Sequence, residues 1–197
     1  MTLAECIERI DHPGSIVLLE GKRKVAAEDQ VRLVELGKLL AAQTKHVVFR
    51  SGNAAGSDQF FSEGVASVDK TRLEVITPYA GHRKTTNQAY RTHALDDINI
   101  AEEPEVIYHS KSHKKMAGLV DRYVAGDKGH YAIKAAYILR DTVKVLGAKN
   151  IPPATFAIFY DDLNDPMQGG TGHTMRVCDE HGVPRIDQRV WMGFLGA

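Results

Sequence analysis

Phe49-Arg50-Ser51-Gly52-Asn53-Ala54-Ala55-Gly56-Ser57-Asp58 is the stretch that decides the fold. It follows the apolar run His46-Val47-Val48-Phe49, which reads as a short buried strand. It precedes Gln59 to Val65, which can form one face of a helix. A strand, a small-residue loop and a helix in that order turn backbone N–H groups toward an anion, and the helix N-terminus adds its partial positive charge. Asp58 in the first helical turn complements that dipole. An ordinary strand-to-helix turn capped by Ser57 or Asp58 has the same local sequence, so other strand ends must be compared.

Two of them are alike. Gln168-Gly169-Gly170-Thr171-Gly172-His173-Thr174 follows the apolar run 156–160 and opens a helical segment. Glu20-Gly21-Lys22-Arg23 follows the apolar run 16–19. In an open parallel sheet these loops share the edge where ligands bind. Between them the chain alternates strand and helix. A short helix is expected over residues 1–12, broken by Pro13-Gly14. Glu28-Asp29 opens an amphipathic helix whose apolar face is Val31, Val34, Leu36, Leu39 and Leu40. Leu73 to Thr77 is a strand candidate, residues 86–97 a helix candidate, and Glu105-Val106-Ile107-Tyr108 a further strand. Residues 132–146 form a strong helix closed by Gly147, with Arg140-Asp141 on or near its other face. Residues 171–181 make the last long helix, ended by Gly182 and Pro184, and 185–187 a last edge strand. This order predicts an α/β doubly wound, mostly parallel sheet with helices on both faces, built as one domain over residues 1–197.

Composition fits such a domain: 197 residues, 43% hydrophobic and 25% charged. Lys+Arg and Asp+Glu both number 25, so the net charge is zero. That predicts no general attraction to nucleic acid or to an anionic membrane, and nucleic acid is not expected as a partner. No apolar run approaches the roughly 20 residues of a membrane span. Cys6 and Cys178 stand far apart in no metal-ligand pattern, which with the polar N-terminus suggests a reduced, cytoplasmic setting. Trp191, Phe194 and Leu195 are expected to pack on the body or on a second subunit.

Two segments stay open. Tyr79-Ala80-Gly81-His82-Arg83-Lys84 can stack a base and contact a phosphate, or stand as a solvated loop. Residues 109–130 read as a polar segment or lid. His109 and His113 suit one helical face and His130 follows, but no Cys or acidic pair completes a zinc set, so no metal site and no cofactor are expected. Lys111, His113, Lys114 and Lys115 read as a solvated basic face.

Taken together the glycine loops resemble those of the Rossmann-like superfamily that includes the DNA-processing protein DprA and the Lonely Guy (LOG) phosphoribohydrolases, the SLOG domains. Gly21-Lys22-Arg23 is similar to the family's Gly-Ser-Arg-like turn. Ser51 to Asp58 is similar to its Ser-Gly-x-Ala-x-Gly-x-Asp loop, and 169–174 to its late Gly-Gly-x-Gly-Thr loop. The likeness covers about residues 15–186. It implies a nucleotide-binding protein whose ligand is a nucleotide or phosphoribosyl compound at the C-terminal edge of the sheet. Gly21 and Arg23 approach it from the first loop, and Ser51, Gly52, Asn53, Gly56 and Asp58 form a second wall. Gly169, Gly170, Thr171, Gly172 and Thr174 hold phosphate, and Arg140 pairs with it bidentately. The superfamily also implies a homodimer or higher oligomer.

The chain departs from the hydrolase pattern Pro-Gly-Gly-x-Gly-Thr-x-x-Glu at Gln168, His173 and Arg176. The last of these replaces a catalytic carboxylate with a cation, which cannot assist departure of a base. A binding role, sensing or sequestering a nucleotide, is therefore the expectation. The alternative is an N-glycoside hydrolase of nucleoside 5′-monophosphates with His173, Glu63 and Asp58 as its acid–base groups. Single-stranded DNA binding of the DprA kind is a lesser alternative, and His173 can also serve only to cap or pack.

Overall fold

The continuous apolar runs become the strands of one parallel sheet, because a strand covered by helices on both faces buries every side chain. The structure, a computed structural model, describes residues 1–113, 115–127 and 129–196. Its elements in chain order are α1 (Leu3–Ile10), β1 (Ile16–Gly21), α2 (Ala27–Gln43), β2 (Val48–Ser51), α3 (Ser57–Asp69), β3 (Leu73–Thr77), β4 (Arg91–Ala94), α4 (Pro104–Ser112), α5 (Ala117–Val124), α6 (His130–Leu146), β5 (Phe156–Tyr160), α7 (Gly169–Glu180), β6 (Arg185–Ile186) and α8 (Gln188–Trp191). The strand order is β4-β3-β2-β1-β5-β6, and every pairing is parallel. This is the doubly wound α/β architecture that the alternating sequence predicts. Among the described residues no helix is long and apolar enough to cross a membrane.

Alternate residues of β1 divide the core. Val17 and Leu19 join Leu33, Leu36 and Leu40 of α2, Phe61 and Val65 of α3, and Cys6 and Ile10 of α1. Leu18 faces Val145 of α6 and Met175 and Cys178 of α7. A neighbouring cluster joins Ile76 of β3 to Val106, Val120, Ala135 and Leu139 of α4, α5 and α6. Both cysteines are free and buried, and burial pushes their thiols up to about 11 for Cys6 and about 12 for Cys178. Trp191 of α8 packs edge-on against Phe61 and donates its indole N–H to the Phe159 carbonyl at 2.9 Å, so the C-terminal aromatic cluster packs on the body.

Several local expectations are corrected. β2 begins two residues later than the apolar run and includes Arg50 and Ser51, because Arg50 lies opposite Glu74 of β3 and pairs with it at 2.7 Å. Residues 91–94, expected in a helix, form β4: the free edge of β3 pairs with their backbone, and Arg91 reaches Glu74 at 3.4 Å. Residues 105–108, expected as a strand, lie in α4. Pro104 occupies its first turn, where a missing N–H costs little, and Val106, His109 and Ser110 form its inward face. In α2 the buried stripe runs through Leu33, Leu36 and Leu40, leaving Val31 61% exposed. Arg140 and Asp141, expected on or near the outer face of α6, are buried. Of the basic cluster at 111–115, Lys114 lies outside the described residues.

Helices α2 and α3 cross with backbone against backbone. A Cβ on Gly64 would lie 2.1 Å from the Val34 carbonyl oxygen, and one on Gly37 would lie 2.4 Å from that of Phe61. Neither atom belongs to a side chain that can swing away. Gly64→Ala should therefore destabilise the protein by about 1–3 kcal/mol through overpacking. Urea unfolding measures this, and an unchanged midpoint would mean that the helices separate freely.

Candidate functional site

The chain leaves β1 toward β2 on one side, while β5 pairs on the other, so the winding direction reverses between β1 and β5. Ligands bind outside the carboxyl ends of strands at such a point. Here a cleft of about 420 Å³ opens there. Its walls come from the loop after β1 (Lys22 and Arg23), the loop after β2 (Ala54 and Asp58), α6 (Tyr137, Arg140 and Asp141) and the start of α7 (Gln168, Gly170 and Thr171), with Glu20 on its floor.

The floor is a buried network of charges. Lys144 is fully enclosed, and its ammonium lies 2.6 Å from Glu20 Oε2 and 2.9 Å from Asp141 Oδ1. Arg140 pairs with the same Asp141 oxygen at 2.9 Å and donates to the Gly52 carbonyl at 2.5 Å. Thr174 donates to Glu20 Oε1 at 3.1 Å. Burial pushes the Glu20 carboxyl up to about 7, against the pull of Lys144. Burial would also raise Asp141, but Arg140 and Lys144 outweigh it and hold that carboxyl low. The Arg140 Nε is buried without a hydrogen-bond partner among the described residues.

Asp58 organises the two neighbouring loops. Its carboxylate accepts from the backbone N–H groups of Gly21 at 3.4 Å, Gly52 at 3.0 Å and Ala54 at 3.3 Å. The N–H groups that the small-residue loop offers at Gly52 and Ala54 thus point at a side chain of the same loop. Ser57 fastens the arrangement by donating to the Lys22 carbonyl at 2.7 Å. Gly56, at φ +83°, lets the loop pass within contact of the Arg23 backbone, where a Cβ would come 2.1 Å from the Arg23 oxygen. Asn53 is also left-handed, and its amide donates to the His82 carbonyl at 3.0 Å.

The first turn of α7 is different. Gln168 does not cap it with its side chain, and Gly170 and Thr171 line the cleft. Its leading N–H groups, which lack partners inside the helix, and its dipole stand beside Lys22 and Arg23. A smaller hollow of about 180 Å³ continues the cleft past Arg23, Ala54 and Tyr137 to His82 and Arg83. His82 lies between the rings of Tyr79 and Tyr137, with centroids 5.1 and 5.7 Å away. Burial first, then Arg140 and Arg83, lower its pKa to about 4, so it is a neutral ring at physiological pH. The loop at 79–84 therefore borders the cleft.

The sequence-selected groups divide. Gly21, Arg23, Asp58, Arg140, Gly170 and Thr171 meet at the cleft. Ser51, Gly52, Asn53 and Thr174 support it from behind, Gly52 through Arg140 and Thr174 through Glu20. His173 faces away, with Nε2 2.8 Å from Thr142 Oγ1 and its ring against that of His113, and burial lowers its pKa to about 4. Glu63 lies along α3, bonded to Gln59 at 3.0 Å and outside the cleft lining. Glu20 and Asp141 were missed as site residues. Their signal was a carboxylate at the end of an apolar strand and another beside Arg140.

No protein-family model matches the chain, and no curated protein matches it either. Its architecture places it among doubly wound α/β proteins with a cleft at the reversal of winding. Among solved structures it is similar to DNA processing protein A from Helicobacter pylori, described as having a single-stranded DNA binding mode. That alignment covers 91% of this chain and 67% of the other, at a TM-score of 0.47 and 13% identity. The expectation that nucleic acid is not a partner is withdrawn: it rested on net charge, and the neighbour found is described by its single-stranded DNA binding. Physically, a net charge of zero does not describe a local strip such as Lys22, Arg23 and Arg83.

Two outcomes follow from the network. Lys144→Met should cost about 3–5 kcal/mol, because it leaves Glu20 buried without a cation and Asp141 with Arg140 alone. Adding Glu20→Gln and Asp141→Asn should recover part of that loss in chemical unfolding. An unfolded histidine takes up its proton near 6.5 and His173 only near 4, so between these values the unfolded state binds more protons and stability falls with falling pH. In unfolding measured from pH 7 to 4, His173→Gln should lose less stability than the parent protein, whereas parallel curves would place His173 in contact with water.

Proposed function

We propose that the cleft holds a nucleotide or another phosphoribosyl-bearing small molecule, in a sensing or sequestering role, within a single nucleotide-binding domain. The observation that carries this reading is the polarity of the cleft. An uncapped helix start, Arg23 and Lys22 (itself 3.3 Å from Asp162) form the rim, while Glu20 and Asp141, paired with Lys144 and Arg140, form the floor. A phosphate suits the rim, where N–H groups and a fork of guanidinium donors converge. Ribose hydroxyls suit the floor at Asp141, whose Oδ1 faces Arg140 and Lys144 and whose Oδ2 is the oxygen left to accept. The side hollow at Tyr137 and His82 offers ring faces to a base.

One observation favours a second reading, cleavage of the N-glycosidic bond. Glu20 and Asp141 are carboxyl groups that line the cleft, where a group that exchanges a proton with a departing base must stand. Glu20, with Asp141 beside it, takes that role in place of His173 and Glu63, which do not line the cleft.

The test incubates the purified protein with nucleoside monophosphates, NAD, ADP-ribose and a single-stranded oligonucleotide, and reads retained ligand and released base together. Retention of a nucleotide without base release is expected. Arg23→Ala should weaken it about 10- to 150-fold, the loss of one charge-assisted hydrogen bond of roughly 1.5–3 kcal/mol. Released base that disappears in Glu20→Gln selects the hydrolase. Salt-sensitive retention of the oligonucleotide alone selects a nucleic-acid role. No retention of any member overturns the nucleotide reading.

A further inference from the structure

The histidines that the sequence brings together do not meet. His113 turns to His173, and His130 stands against Tyr131. His109 instead finds a partner more than 70 residues away. Its Nε2 lies 2.8 Å from His181 Nε2, just beyond the end of α7. Glu105, one turn earlier in α4, places a carboxylate oxygen 3.6 Å from the same His109 nitrogen. One donor atom from each of Glu105, His109 and His181 falls within 4.8 Å of the other two. This is the far end of α7 from the cleft, roughly 18 Å away along a 12-residue helix.

The chemistry of this cluster is specific. Glu180 accepts the His109 Nδ1–H at 2.8 Å. In the neutral ring that bond fixes the tautomer, so the Nε2 lone pair points at His181 and Glu105. A carboxylate that orients a histidine from behind is the usual support of a metal-bound imidazole. Two imidazole nitrogens and one carboxylate, two of them from α4 and one from the end of α7, form the donor set of a zinc-class ion, which commonly leaves a fourth position to water. Bonds of about 2.0–2.1 Å in a tetrahedron separate donors by roughly 3.3 Å, a spacing reached from the present one by small side-chain rotations. Glu105, Glu180 and His181 are exposed, so an ion has direct access.

We propose that Glu105, His109 and His181 bind a divalent transition metal of the zinc class, oriented by Glu180 through His109, and that the ion clamps α4 to the end of α7. The site is separate from the cleft and independent of its ligand.

Titration of the chelator-treated full chain with Zn²⁺ alone tests this, with Co²⁺ absorption reporting the coordination geometry. One ion per chain is expected, with the intense visible bands of a four- or five-coordinate cobalt site. His181→Ala and Glu105→Ala should each weaken Zn²⁺ binding at least 10-fold, and Glu180→Gln should weaken it less. His46→Ala, a change at an exposed histidine elsewhere, should leave it unaltered. Circular dichroism of the metal-free variants verifies that each is folded, and added Zn²⁺ should raise the melting temperature of the parent but not of His181→Ala. Absence of a saturable site in the parent, or unchanged affinity in either His181→Ala or Glu105→Ala, overturns the proposal.

Discussion

The ammonium of Lys144, enclosed between Glu20 and Asp141, is the interaction on which the site depends. A buried cation is tolerated only when carboxylates face it and their remaining lone pairs are occupied. Here Thr174 takes the other oxygen of Glu20, and Arg140 joins Lys144 at Asp141. The network therefore ties the end of β1 to α6 and the first turns of α7. Through the bond from Arg140 to the Gly52 carbonyl it also ties in the loop after β2. The charges do not decorate a finished fold. They fix the relative positions of the elements that enclose the cleft.

Asp58 performs the complementary task on the other wall. By gathering N–H groups from the end of β1 and the loop after β2, it uses donors that a bare strand–loop–helix motif would offer to an anion. The anion-directed donors are thereby shifted to the start of α7. Neither α3 nor α7 has a side-chain cap, yet the two loops are unequal: the one before α3 gives its Gly52 and Ala54 N–H groups to Asp58 and the Ser57 N–H to the Lys22 carbonyl. That inequality gives the cleft a direction and underlies the proposed orientation of a nucleotide, phosphate toward α7 and sugar toward Glu20.

Sequence reading reached the architecture because it rests on continuous apolar runs and glycine turns, which are local signals. Strands β1, β3 and β5 and helices α2, α6 and α7 were legible for that reason. It failed where a distant partner decides the local conformation. Residues 91–94 are a strand only because β3 has a free edge, and Arg50 belongs in β2 only because Glu74 lies opposite. The site divided along the same line. Glycine loops announce backbone, so Gly21, Gly170 and Thr171 were placed at the cleft from sequence. Glu20 and Asp141 resembled ordinary charged residues until the fold buried them together. His173 stands inside a glycine motif but faces into the helix layer, because position on a helix, not neighbourhood in sequence, sets direction.

β1 lies in the middle of the sheet, yet its two neighbours come from opposite ends of the chain. Leu18 pairs with Arg50 on one side and with Ala157 on the other, and Glu20 meets Lys144 across 124 positions. On a ribosome, β1 through β4 with α2 and α3 can assemble early, but one edge of the central strand stays bare until β5 emerges. Synthesis at about 5–20 residues per second keeps that apolar edge open for several seconds or more. A charge at the open end of a strand disfavours pairing with another chain, and Glu20 places one at the end of β1.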